Sequence, residues 1–250
     1  MVRWERELDG GRLHLVGWRG STMQAALERI VALARLGGRH RARETIDGWD
    51  AWVEGEPLVG AASWREGLRA RLGGEGRRVR EYKLLSWQTE RLFPVLLPLA
   101  AASWLVGGRL AYQAHVARWQ PHAATLADLI ARGDERLEAL LGELGREAGR
   151  LHALRGRHGG LRPARILVAP AGALQPLVWS GSGDGARGPW IPRAADDLHD
   201  LAEALRANGR ASLLEPLWSA YEDARAGNGR PVRASERRLA PRARITRPCS

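Results

Sequence analysis

Residues 144–181 decide the fold, and they read LGREAGRLHALRGRHGGLRPARILVAPAGALQPLVWSG. Leucines and alanines recur at three- and four-residue spacing through residues 137–151, a period that predicts a helix with one buried face. A loop rich in Gly and Arg follows at residues 154–161. Two short apolar runs, residues 166–168 and 174–179, then predict a pair of strands joined by a turn. The order is therefore helix, loop and hairpin.

This order resembles the catalytic segment of the protein-kinase-like fold, in which H-x-D-x-x-x-x-N precedes one strand and D-x-G or D-x-D follows the next. The motif's His, its catalytic Asp, its metal-binding Asn and its second metal-binding Asp fall in this chain at His158, Gly160, Arg165 and Trp179. Phosphoryl transfer needs a carboxylate to orient the attacking hydroxyl and oxygen ligands to hold Mg²⁺. Gly, Arg and Trp supply neither, so the resemblance implies a kinase fold without its phosphotransfer groups.

Two motifs nearer the N-terminus are similar to those of the bacterial lipopolysaccharide-core sugar kinases, the Kdo kinase and heptose kinase group. They are REGL at residues 65–68 and REYKLL at residues 80–85. In that group a basic strand ends in R-G-G-L, and R-E-F-x-L-L begins a helix that carries an ion-pairing Glu. The resemblance makes Glu81 this glutamate and puts its strand partner, the cation that holds nucleotide phosphates, at Ala61. Alanine carries no charge, so this cation is also replaced.

The resemblance implies an α+β, two-lobed protein-kinase-like fold with a small antiparallel sheet in the N-lobe. We expect a β-rich N-lobe at residues 1–120, with Gly-containing turns at residues 9–11 and 47–48 joining pairs of strands. A mainly helical C-lobe is expected at residues 121–224. Residues 225–250 contain many Arg, Pro, Gly and Ser and almost no apolar residues, a composition that predicts a disordered basic tail.

Three local signals refine the N-lobe. Ser21 and Gln24 have the spacing of a capping box, which predicts the start of a helix. The glycines at residues 37–38 predict its end. A second bend is predicted at Glu54-Gly55, in the middle of an otherwise strand-like run.

The charge is strongly positive, with 39 Lys and Arg against 28 Asp and Glu and a formal net charge of +11. Solvated Arg faces would account for it, and so would attraction to phospholipid, lipopolysaccharide phosphate or nucleic acid. No known nucleic-acid motif accompanies the charge, so no specific nucleic-acid partner is expected. Cys249 is the sole cysteine, the N-terminus has no signal-like apolar region, and residues 93–107 are too short to span a bilayer. We expect a cytoplasmic protein, at most peripheral to the inner membrane.

Two functions of different classes remain open. The first is a pseudokinase that binds a protein or an anionic ligand such as lipopolysaccharide or a nucleotide phosphate, linked to the cell envelope and without a cofactor. The second is an active lipopolysaccharide-core sugar or lipid kinase that uses ATP, Mg²⁺ and displaced carboxylates, for which Asp184 and Glu81 are the candidates. His158 is expected to be a structural loop histidine, and the histidines show no metal-ligand spacing. Arg165 is either a solvent-facing arginine or a fixed charge for phosphates.

Overall fold

The structure is a computed structural model that describes residues 2–17, 20–73, 76–122, 124–156, 158, 161–180 and 194–232. The chain divides into two compact units, Met1–Gln120 and Pro121–Ser250. Within the described ranges, none of the helices is both long and apolar enough to cross a bilayer.

The N-terminal unit is built on one antiparallel sheet of six strands. The strands are β1 (Val2–Leu8), β2 (Gly11–Gly17), β3 (His40–Ile46), β4 (Trp49–Pro57), β5 (Pro98–Val106) and β6 (Arg109–Arg118), in the order β1-β2-β5-β6-β4-β3. Three hairpins close on two-residue turns, each with positive φ at both residues: Asp9-Gly10, Asp47-Gly48 and Gly107-Gly108. Such turns match the twist of the strands that they join, which is why the glycine signals placed the hairpins correctly.

Helix α1 (Ser21–Leu36) covers one face of this sheet with a continuous apolar stripe that includes Leu27, Ile30 and Leu33. Its C-terminus is as predicted, because Gly37 adopts the left-handed conformation and donates its N–H to the Leu33 carbonyl. The capping box is wrong: the hydroxyl of Ser21 donates instead to the Asp47 carboxylate at 2.9 Å. The acceptor for the Ser21 hydroxyl at the start of α1 is therefore Asp47 in the β3–β4 turn.

The predicted bend at Glu54-Gly55 is also wrong, since β4 runs without a break through Gly55. A Cβ atom at this position would lie 2.2 Å from the hydroxyl oxygen of Tyr112 on β6. The Tyr112 hydroxyl passes over the glycine and donates to the Gly38 carbonyl at 3.0 Å. Gly55 is therefore a site of close side-chain approach in a straight strand.

Two helices follow β4, namely α2 (Gly60–Gly73) and α3 (Arg77–Thr89). The strand expected around Ala61 is wrong, because Ala61 lies exposed in the first turn of α2. The physical reason is local: residues 60–73 contain several Ala, Leu and Arg residues, which favour helix, and lack the alternation of a strand. Helix α3 carries the REYKLL motif, as predicted.

The C-terminal unit combines a small three-stranded sheet with four helices. Its elements are β7 (Ala124–Thr125), α4 (Leu126–Arg132), α5 (Leu137–Ala153), β8 (Ile166–Val168), β9 (Leu177–Trp179), α6 (Ala194–Ala207) and α7 (Leu214–Gly227). Helix α4 begins with a complete capping box between Thr125 and Asp128. The predicted long helix before His158 is confirmed as α5, whose leucine stripe is buried.

Helices α5 and α7 approach one another closely because α5 has glycine at two positions one turn apart. A Cβ atom on Gly145 would lie 2.2 Å from the Leu217 carbonyl oxygen, and one on Gly149 would lie 2.6 Å from the Tyr221 carbonyl oxygen. Neither contact has room for a methyl group, so the glycines set the distance between the helices.

The disordered tail was predicted to begin at Arg225, and this boundary is too early. Helix α7 continues to Gly227, and the Arg225 side chain is buried and donates from Nε to the Arg230 carbonyl at 2.8 Å. Val232 is also buried. The remainder of the predicted tail, residues 233–250, lies outside the described residues.

We predict that Gly145→Ala lowers the unfolding free energy by about 1–3 kcal/mol, because the added methyl group meets the α7 backbone. Urea denaturation followed by circular dichroism measures the change. Gly142→Ala is the matched control on the same helix, since its Cβ would meet nothing within 4 Å. It should raise stability by about 0.5–1 kcal/mol through helix propensity. Equal effects of the two substitutions would contradict the close approach of α5 and α7.

Candidate functional site

A buried carboxylate, Asp197 in the first turn of α6, organises the segment that resembles a kinase catalytic loop. Its Oδ2 atom accepts from His152 Nε2 and from the backbone N–H of His158, both at 2.9 Å. Burial raises the pKa of this carboxyl, but the bonds from His152 and His158 outweigh that effect and hold the pKa far below its usual range. Asp197 is therefore ionised and joins α6 to α5 and to the loop.

The cluster extends from His152 to α7. His152 Nε2 faces a carboxylate, which only accepts, so this nitrogen carries a proton. On the other side of the ring, Nδ1 lies 3.0 Å from the Tyr221 hydroxyl oxygen, which in turn accepts from Arg225 Nη1 at 3.1 Å. The four side chains form one buried polar chain, which runs from α6 through α5 to the end of α7.

The loop between α5 and β8 is held to α6 by main-chain atoms. Besides the His158 N–H bond to the Asp197 carboxylate, the N–H of Leu161 donates to the Asp197 carbonyl at 3.1 Å. The His158 ring is fully buried and meets the Trp179 indole edge to face, with ring centroids 5.4 Å apart. The ring thus packs in the core, and the structural role of His158 stays a prediction.

Three of the four predicted motif positions come together here. Arg165 ends a short 3₁₀ turn, Pro163–Arg165, and its carbonyl accepts from Ser180 N at 2.7 Å and from Ser180 Oγ at 2.8 Å. The next residue, Ile166, pairs with Trp179 across β8 and β9. The Arg165 side chain is half-buried, so it is not a fully solvent-facing arginine. The fourth position, Gly160, and the candidate carboxylate Asp184 lie outside the described residues.

Trp179 is fully buried and counts among the largest core side chains of the described residues. At the position where the resemblance implies a metal-binding aspartate, this chain therefore has a core indole. Residues 154–180 contain four arginines and no Asp or Glu. In the parts of the chain that the structure describes, no three His, Cys, Asp or Glu side chains are grouped to hold a metal ion. The segment carries positive charge, which suits anions.

The N-terminal unit contains a second buried ionic cluster, around Glu81 on α3. Glu81 Oε2 accepts from Arg78 Nη1 at 2.9 Å, and Arg78 Nη2 donates to Glu54 on β4 at 2.8 Å. A third carboxylate, Glu56, lies 3.9 Å from the same Arg78 nitrogen. Sequence analysis missed Arg78 because it sought a partner for Glu81 on a strand at Ala61. The available signal was the i, i+3 spacing of Arg78 and Glu81 on one helix.

His115 on β6 lies beside this cluster, with Nδ1 3.7 Å from Glu54 Oε2. Burial, assisted by the neighbouring Arg78 cation, lowers the pKa of His115 from 6.5 to about 4, so the ring is neutral near pH 7. Burial raises the pKa of Glu54, but the protonated form of His115, the Arg78 and Arg41 cations and the hydrogen bond from the Trp52 indole outweigh burial and leave the pKa below its usual value. Three carboxylates thus surround one guanidinium, and Arg78 is neutralised within the unit.

No family model and no curated protein sequence matches the chain. Among solved structures, "WaaP in complex with acyl carrier protein" is 17% identical with a TM-score of 0.50, covering 90% of this chain and 97% of that one. A second structure, "A divergent kinase lacking the glycine-rich loop regulates membrane ultrastructure of the Toxoplasma parasitophorous vacuole", is 14% identical with a TM-score of 0.44, covering 85% of this chain and 84% of that one. The predicted α+β protein-kinase-like fold is confirmed, with an antiparallel sheet in the N-terminal part and a mainly helical C-terminal part.

We predict that Asp197→Asn lowers the unfolding free energy at pH 7 by about 3 kcal/mol, because His152 and the His158 N–H lose an ionised acceptor. The matched control is Asp200→Asn on the same helix, whose exposed pair with Arg162 should contribute less than about 1 kcal/mol. Chemical denaturation at several pH values measures both effects.

The same variant tests the pH dependence. A carboxyl with a depressed folded pKa stabilises the protein above its unfolded pKa of about 4, and this contribution is lost as the pH falls further. The unfolding free energy of the natural protein should therefore fall more steeply below pH ~4 than that of Asp197→Asn. Parallel acid profiles would show that Asp197 is not the buried anion described.

We predict a separate pH effect from His115. The unfolded ring binds a proton near pH 6.5 and the folded ring only near pH 4, so stability falls as the pH is lowered through this window. The loss should approach about 3 kcal/mol, and His115→Gln should flatten it. The control is His199→Gln, at an exposed position of α6, which should leave the slope unchanged. A natural protein with equal stability at both ends of the window would contradict the burial of a neutral His115.

Proposed function

We propose that this protein is a pseudokinase related to the lipopolysaccharide-core sugar kinases, which binds a ligand or partner without transferring phosphate. The observation that carries the proposal is the fully buried indole of Trp179, within a segment of residues 154–180 that has no carboxylate. A core tryptophan cannot coordinate Mg²⁺, and exchanging it for a metal ligand would put an unpaired charge in the core.

The charges of both units support the same conclusion. In the N-terminal unit the cation that pairs with Glu81 is Arg78, and three carboxylates already neutralise it. In the C-terminal unit the ionised carboxylate Asp197 is buried and bonded to His152 and His158, so it is not placed to orient an attacking hydroxyl. Neither buried charge is available for phosphoryl transfer.

The ligand that the C-terminal unit suits is anionic. Arg155 and Arg162 are exposed at the loop, and Arg155 adopts a positive φ of 58° that turns the chain directly after α5. Arginine binds phosphate and carboxylate oxygens through a planar fork of donors. A phosphate-bearing ligand such as lipopolysaccharide or a nucleotide meets this chemistry, and we infer a link to the cell envelope from the motifs at residues 65–68 and 80–85. No cofactor is needed for binding of this kind.

The alternative is an active sugar or lipid kinase that uses ATP and Mg²⁺ with displaced carboxylates. Asp184 follows Trp179 by five residues in the sequence and would have to replace the missing metal ligand. Glu81 is the other carboxylate of this alternative, but it is buried and paired with Arg78. Asp184→Asn therefore separates the alternatives, because it would abolish turnover only in an active enzyme.

We predict that the natural protein transfers no more phosphate from ATP to a lipopolysaccharide-core sugar acceptor than its Asp184→Asn variant does, with or without Mg²⁺. Each missing charge-stabilising group raises the barrier, and about 1.4 kcal/mol corresponds to a tenfold loss of rate. Transfer of radiolabelled phosphate measures the rate. Mg²⁺-dependent turnover that Asp184→Asn removes would overturn the pseudokinase proposal and establish the alternative.

Restoring two motif positions provides a second arm of the experiment. Gly160→Asp with Arg165→Asn returns the carboxylate and the amide, whereas Trp179 is kept because it is buried in the core. We expect the double variant to remain inactive, since the second metal ligand is still absent. Ligand binding is measured separately, as the shift in melting temperature that ATP or lipopolysaccharide produces without Mg²⁺.

A further inference from the structure

Helix α2 places small residues against the sheet and large apolar residues on its outer side, which is the opposite of an ordinary surface helix. The side toward the β5–β6 hairpin contains small residues: Ser63 donates from Oγ to the Leu110 carbonyl at 2.8 Å, and Gly67 is buried. A Cβ atom on Gly67 would lie 2.6 Å from the Gly108 carbonyl oxygen, so the helix lies directly on the hairpin backbone. A surface helix usually buries its large apolar side chains on this side.

Two large apolar side chains of α2, those of Trp64 and Leu68, lie instead on the outer side. Trp64 is 53% exposed and Leu68, one turn later, is 48% exposed. Ala61 is exposed in the preceding turn, and Val59, just before the helix, is 79% exposed. We call these four residues the α2 apolar patch. Among the described residues, Trp64 is the most exposed of the large aromatic side chains, which makes this patch a distinct feature of the surface.

Positive charge surrounds the α2 apolar patch. Arg65 is exposed on the helix, and the Arg109 guanidinium on the neighbouring hairpin lies 5.7 Å from the Trp64 ring centroid. The sole acidic residue in the sequence of α2, Glu66, pairs with Arg80 at 3.1 Å. An apolar patch with a cationic rim is complementary to a surface that is apolar at depth and anionic at its boundary.

We propose that α2 is a docking helix for an anionic phospholipid surface, with Trp64 and Leu68 inserted shallowly and Arg65 and Arg109 at the headgroups. Tryptophan and arginine favour this boundary, because an indole sits at headgroup level and an arginine can bury its stem while its charge stays in water. A stable protein interface needs about 800 Å² on each partner, more than four side chains on one helix provide. Membrane attachment needs only a few apolar residues when charge contributes.

The first test is co-sedimentation with vesicles of phosphatidylcholine containing phosphatidylglycerol, compared with vesicles of phosphatidylcholine alone. We expect binding to the anionic vesicles only, decreasing as salt is raised. Trp64→Glu with Leu68→Glu should weaken the binding by at least roughly tenfold, because both apolar side chains are lost and two negative charges are added. Both residues are exposed, so the fold is retained.

The matched control is Leu36→Glu with Leu92→Glu, which makes the same change of charge at two other exposed leucines of the same unit. It should lose only the electrostatic share of the binding. If both double variants lost vesicle binding equally, net charge alone would account for the interaction, and the docking role of α2 would be overturned. Absence of binding to either vesicle would also overturn it.

A label on the helix tests insertion directly. Cys249→Ser removes the only cysteine, after which Leu68→Cys carries an environment-sensitive fluorophore and Leu36→Cys carries the control label. Anionic vesicles should shift the emission to the blue at position 68 and not at position 36. No shift at position 68, or a shift produced by an acidic polypeptide and not by vesicles, would overturn the proposal. These measurements involve no nucleotide, so they stand apart from the test of phosphotransfer.

Discussion

The buried carboxylate of Asp197 is the constraint on which the C-terminal unit depends. An ionised group in a protein interior must be bonded on all sides, since an uncompensated buried charge costs several kcal/mol. Asp197 satisfies this requirement by drawing together His152 on α5 and the backbone of His158, and His152 extends the chain to Tyr221 on α7. The segment after α5 thus keeps its place for reasons of bonding that are independent of catalysis.

The elements with strong local signals could be predicted from the sequence. The leucine period gave α5, and the Asp-Gly turns gave two hairpins, because these signals act through neighbouring residues alone. Residues 60–73 show the opposite case, where a carried-over motif suggested a strand while the local composition favoured a helix. Gly55 was misinterpreted because its partner, Tyr112, is distant in the sequence.

The site was less predictable than the fold because its interactions are long-range. In the sequence, Asp197 is an acidic residue in the first turn of a helix, and nothing local indicates that His152, 45 residues earlier, donates to it. Arg78 is the exception, because its pairing with Glu81 is local and was missed only because the resemblance put the partner at Ala61, whereas its second partner, Glu54, is distant in the sequence. Trp179 was recognised as a missing ligand, but only packing reveals that its indole belongs to the core.

The bonds that anchor the loop to α6 use the N–H groups of His158 and Leu161, and every residue except proline has such a group. Exchange of the His158 or Leu161 side chain would leave the donor of each bond in place. Of the groups that form these two bonds, the Asp197 carboxylate is the one that belongs to a side chain. Main-chain anchors of this kind hold a loop in position while placing little demand on the identity of its side chains.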